Sequence, residues 1–64
     1  MRLTHFRQQM ADEFGRMRAD MIARDHVFSV FGDRTVNQAL DAGFDPKEIW
    51  RALCEAYDVP PERR

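Results

Sequence analysis

The amino-acid sequence predicts an all-α fold, a compact orthogonal bundle of four short helices, and three observations predict it. Each of the three glycines directly follows a stretch with helical apolar spacing: Gly15 after Phe14, Gly32 after Phe31 and Gly43 after Ala42. Glycine just past a helix end is the expected cap, because it enters the left-handed region without a Cβ clash. Helix-start residues stand where the next helical stretch should open, at Thr4, Thr35 and Asp45. No segment alternates apolar and polar residues as a half-buried strand would.

The first helix spans about 4–14, with Thr4 as its cap and Phe6, Met10 and Phe14 at i+4 intervals on one face. The second is expected over 16–31. The apolar series Phe6, Met10, Phe14, Met17, Met21, Phe28, Phe31 runs almost unbroken through Gly15, so one helix over 4–31 competes with two. An internal glycine costs such a helix only about 1 kcal/mol. A break is preferred, because a long arm could not bury both halves in so short a chain. The third helix, 35–42, opens on the capping box Thr35-Val36-Asn37-Gln38. It is barely two turns long, so packing rather than propensity must hold it. The fourth, 46–57, has the plainest start: Asp45 as cap, Pro46 in the first helical position and Glu48 placed to close a capping box. Pro60 and Pro61 stop it. The domain is therefore read as 1–59, with 60–64 a loose C-terminal tail.

Composition narrows function. In a chain of 64 residues, 44% hydrophobic and 33% charged residues suit a packed globule. Its seven aromatics (Phe6, Phe14, Phe28, Phe31, Phe44, Trp50, Tyr57) are a large supply for so small a core. The lone Cys54 cannot form an internal disulfide, which with the lack of a leader or membrane-length apolar run points to the cytoplasm. Ten basic residues against eleven acidic ones give a net charge of −1, which disfavours nucleic acid as a partner.

The motifs support binding more than catalysis. Ala39, Gly43 and Ile49 have the spacing of a helix-turn-helix, with helices 35–42 and 46–57 as its two arms. Yet Lys47 and Arg51 on the would-be recognition helix are cancelled by Glu48 and Glu55, and its first turn lacks a pair suited to reading base edges. Asp25-His26, His5 and Cys54 are scattered singly, without metal-ligand or catalytic spacing, so no enzyme activity, cofactor or metal is expected. Cys54 reads as a small buried thiol and His26 as a packed hydrogen-bonding side chain. Met10, Met17 and Met21 read mainly as core filling. Ile49, Trp50, Leu53, Cys54 and Tyr57 form an apolar arc wider than one packed seam.

Four segments carry a family resemblance: the Met1-Arg2-Leu3-Thr4 start, Arg24-Asp25-His26-Val27, the Gly32-x-Arg34-Thr35-Val36 turn, and Asp45-Pro46-Lys47-Glu48-Ile49-Trp50-Arg51-Ala52-Leu53-Cys54. They resemble a short actinobacterial all-helical family of unknown function, which implies membership and no activity. The expected role is therefore a non-catalytic protein–protein interaction module, its partner another protein or a second copy. Trp50 or Tyr57 is the expected anchor, ringed by Arg51 and Arg34. The alternative is a small helix-turn-helix DNA-binding protein.

Overall fold

The structure, a computed structural model, describes residues 1–64. Its helices are α1 (Leu3–Phe14), α2 (Arg16–Asp25), α3 (Val36–Asp41) and α4 (Pro46–Ala56). The all-α architecture with four helices is as expected, but the second helix is not. Helix α2 stops at Asp25, and the chain then turns through a small hairpin of β1 (Val27–Phe28) and β2 (Arg34–Thr35), joined by a 3-10 turn at Ser29–Phe31. The strands pair antiparallel, Val27 with Thr35 and Phe28 with Arg34. Residues 27–31 are β-branched, aromatic or Ser, weaker helix formers than the Arg, Ala and Met residues that dominate α2. In the hairpin Phe28 and Phe31 both point inward while Val27 and Val30 stay exposed.

Gly15 does break the long apolar series. At φ 85° and ψ 148° it ends α1 and opens α2, a conformation that side-chain-bearing residues rarely adopt. The bend also turns the next two members of the series away from the core. Phe6 and Met10 are buried, whereas Met17 is 88% exposed and Met21 51%. Helix α2 instead faces inward with Ala19, Ile22 and Ala23. Helix α1 begins one residue earlier than expected. Arg2 is its N-cap, without a side-chain bond, so Thr4 sits inside the first turn rather than capping it.

The corner between α3 and α4 follows the sequence closely. Thr35 Oγ1 accepts from the Gln38 N–H at 3.1 Å, while Gln38 Oε1 accepts from the Thr35 N–H at 2.9 Å. Gly43 (φ 91°) then closes a Schellman turn, its N–H donating to the Leu40 carbonyl and the Phe44 N–H to that of Ala39. Ala39, wholly buried, is the small residue that lets the corner close. At the start of α4 the Asp45 carboxylate accepts from the Lys47 N–H at 3.0 Å, with Pro46 in the first turn. Helix α4 sinks Ile49, Trp50, Leu53 and Cys54 into the core. It ends in a second turn of the same kind: Asp58 takes a positive φ of 56°, and the Val59 N–H bonds the Cys54 carbonyl, burying Val59.

The last residues do not trail away. Pro61–Arg63 form a 3-10 turn, the Arg63 guanidinium grips both Glu13 oxygens at 2.9 and 3.0 Å, and the Arg64 carbonyl accepts from Trp50 Nε1 at 3.3 Å. The segment is a strap across α1 and α4, held because it meets an otherwise unpaired carboxylate and an indole donor. Bonding to Arg63 holds the Glu13 carboxyl below its ordinary value of 4.5. A depressed folded-state value means that the ion pair contributes stability above the unfolded value and loses it as pH falls through the folded one. Thermal melts from pH 7 downward should therefore show a loss of stability in the acid range that is smaller in Glu13→Gln. Gly43→Ala should lower stability by about 1–2 kcal/mol, the usual cost of a left-handed alanine, and the melting temperature by several degrees.

Candidate functional site

Aromatic residues organise the interior. Phe6 and Phe14 of α1 each meet the Trp50 ring edge-on at 6.4 Å, and Phe14 meets Tyr57 at 5.3 Å. Tyr57 contacts His26 at 5.4 Å, and His26 stacks nearly flat on Phe28 at 4.0 Å. Phe28 then meets Phe31, and Phe31 meets Phe44. All seven aromatics thus join one series, with the His26 imidazole as its bridge. Nδ1 of His26 also forms a short hydrogen bond with the Tyr57 hydroxyl. Arg18 lies over the Phe14 and Tyr57 rings at 6.0 and 5.8 Å, covering the series where it nears solvent.

This series fixes what Trp50 and Tyr57 can do. Trp50 is only 4% exposed, and Tyr57 is half-buried with its hydroxyl engaged. Both are structural first, and neither projects as a free anchor. The two arginines expected around them are separated by the fold. Arg34 lies on the hairpin, donating to the Phe31 carbonyl at 3.0 Å and covering the Phe44 ring at 5.9 Å. Arg51 lies on α4, exposed and beside Trp50.

Trp50 and Arg51 do share one surface feature. A groove of about 570 Å³ runs between the start of α1 and the outer side of α4, lined by Met1, His5, Lys47, Trp50, Arg51, Cys54, Glu55 and Arg64. Its apolar lining comes from Met1 and the small part of Trp50 that is exposed, with Cys54 wholly buried beneath. Its rim is charged: Lys47, Arg51 and Glu55 from α4, and Arg64 from the strap. Met1, His5 and Arg64 come from the two ends of the chain, and no local pattern in the sequence could have placed them beside α4.

Cys54 has no access to solvent, and burial pushes its thiol above the ordinary value. It therefore stays a neutral thiol near pH 7, a poor nucleophile despite its place under the groove. His26 lies elsewhere, in the aromatic series, so the two are not a pair. No three His, Cys, Asp or Glu side chains stand close enough to hold a metal ion. No helix is long and apolar enough to cross a membrane.

A second exposed feature lies on α2. Met17 and Met21, one turn apart, border shallow depressions together with Arg18, Asp20 and Arg24. Their exposure contradicts the expectation that they fill the core, for the reason already given at Gly15.

The role assigned to Tyr57 is checked by paired substitutions. Tyr57→Phe keeps the ring and loses the bond to His26, so it should cost about 0.5–1.5 kcal/mol in denaturant unfolding. Tyr57→Ala removes the ring from the series and should cost several kcal/mol, about as much as a small domain has.

Sequence comparison adds one relative and one family. A stretch of 36 residues, 56% of this chain, is 44% identical to a Mycobacterium tuberculosis protein named "Putative envelope-preserving system protein Rv2742c". That stretch is 13% of the mycobacterial protein's length, so the likeness covers a small part of a much longer chain. No solved structure matches significantly. The family described as "Protein of unknown function (DUF3046)" matches residues 1–62, nearly the whole length, and the chain belongs to that family.

Proposed function

We propose that this protein is a non-catalytic protein-interaction module of the cytoplasm, and that the groove between α1 and α4 is its binding surface. The observation that carries this reading is the groove itself: an apolar floor including Trp50, inside a rim of charged side chains. An apolar centre with a polar rim is the usual anatomy of a protein interface. In this reading Trp50 contributes through the edge that it shows to the groove, and Arg51 is the accessible member of the expected pair. Arg34 and Tyr57 contribute to stability rather than to contact. A stretch like part of this chain inside the longer mycobacterial protein fits a unit that works by attaching to other polypeptide.

The helix-turn-helix alternative has one observation in its favour, the exposed Lys47 and Arg51 on α4. Two features weigh against it. Those cations border a concavity, whereas a recognition helix must stand proud to enter the major groove. The corner leading into α4 carries Asp41, Asp45 and Glu48, all exposed and all repelled by phosphate.

A tagged pull-down from host lysate, with and without nuclease, tests the proposal. Trp50→Ala is unsuitable, because it would open the core. The exposed pair Lys47→Ala and Arg51→Ala should instead abolish capture of a protein that survives nuclease, without changing the circular dichroism spectrum. Met17→Ser with Met21→Ser should leave that capture intact. If only the methionine variants lose the partner, the binding surface is α2 and the groove assignment fails. If nucleic acid is recovered and all proteins vanish after nuclease, the DNA-binding reading replaces it.

A further inference from the structure

The charges around the groove are not a sample of the surface at large. Of the ten lysines and arginines, three (Lys47, Arg51, Arg64) line it, against one of the eleven acids, Glu55. The groove is therefore net +2, while the remainder of the chain carries −3. Glu55 forms one ion pair, with Arg64 at the long distance of 4.0 Å. Lys47 and Arg51 form no ion pair at all, unlike Arg24 and Arg63 elsewhere on the surface. Being four apart on α4, they lie one turn from each other, about 6 Å along the axis. That spacing matches two carboxylates at i and i+4 of a partner helix, or at i and i+2 of an extended segment.

The floor adds a second requirement. The Met1 side chain and the exposed part of Trp50 offer apolar surface, in a volume of about 570 Å³ that can take several side chains. A lone small anion would leave that floor unused, and a duplex could not reach into it. Both requirements are met by a peptide segment that carries an apolar side chain flanked by acidic ones.

Resting on the interaction-module reading above, we infer that the groove receives an acidic, amphipathic segment of a partner protein, its carboxylates on Lys47 and Arg51 and its apolar side chain against Trp50. Glu55 sets the polarity of the segment, since a carboxylate placed beside it would be repelled. The attraction is of rim type, so salt should weaken it and charge should govern the rate of encounter more than the final affinity.

Trp50, the single tryptophan, lies in the groove and reports its occupancy directly. Its fluorescence would be titrated with three probes on the intact chain: a tryptophan-free peptide of alternating Glu and Leu, the same peptide with Lys for Glu, and a 20-base-pair DNA duplex. The expected result is a saturable change with the acidic peptide alone, weakened about tenfold in Lys47→Glu/Arg51→Glu. The doubly reversed variant should in turn accept the lysine peptide, which a general loss of folding could not produce. Equal response to both peptides, no response to either, or a preference for the duplex would each overturn the inference. The lysate experiment separates the two readings. A partner that is captured through Lys47 and Arg51 but is not displaced by the acidic peptide would leave the module standing and remove its acidic ligand.

Discussion

The structure depends on the unbroken aromatic series that runs from Phe6 through Trp50, Phe14, Tyr57, His26, Phe28 and Phe31 to Phe44. It touches α1, α4, the hairpin and the α3–α4 corner in turn, so each element is held by contact with rings from at least one other. A chain of this size has no disulfide to restrict its unfolded state and too few residues for a deep aliphatic core. Large flat side chains packed edge to face supply much buried area per residue and each pair adds about 0.5–1.5 kcal/mol beyond burial. Helix α3, only six residues long, would not persist without this scaffold.

The same constraint decides which residues are left for function. Once the aromatics are committed to one another, none can serve as a projecting anchor, and binding capacity moves to what borders them. The groove borders Trp50 between the start of α1 and α4, on the indole that Phe6 contacts from α1 and the C-terminal strap bonds. The strap has two roles there: the Arg64 carbonyl satisfies the indole N–H, and its guanidinium builds part of the rim. Cys54 beneath the floor contributes volume rather than reactivity, since burial keeps its thiol protonated.

His26 shows how a polar side chain can belong to such a core. Stacked on Phe28 and bonded to the Tyr57 hydroxyl, it joins the part of the series built by α1 and α4 to the part built by the hairpin and the corner. A phenylalanine could stack there but would leave the tyrosine hydroxyl without its partner, and a buried polar group without a partner is costly. Its place at the end of α2 matches the point where the backbone leaves the helix for the hairpin.

The sequence by itself determined the all-α class, the break at Gly15, the capping box at Thr35, the left-handed turn at Gly43 and the start of α4 at Asp45-Pro46. These are local matters, settled by backbone sterics and hydrogen bonds between residues at most a few positions apart. Family membership was equally legible, since it rests on the residues alone. Tertiary structure decided the rest. The 16–31 helix gave way to a hairpin, in which Val27 and Phe28 pair with Thr35 and Arg34 while Phe28 and Phe31 still join the aromatic series. Met17 and Met21 went outward because Gly15 rotated the face of α2. The strap formed because Glu13 and Trp50, remote in sequence, offered it an acceptor and a donor. Trp50 and Arg51 were named from the sequence, but their shared groove arises from Met1, His5 and Arg64 meeting α4 across the whole length of the chain, and no local signal encodes that meeting.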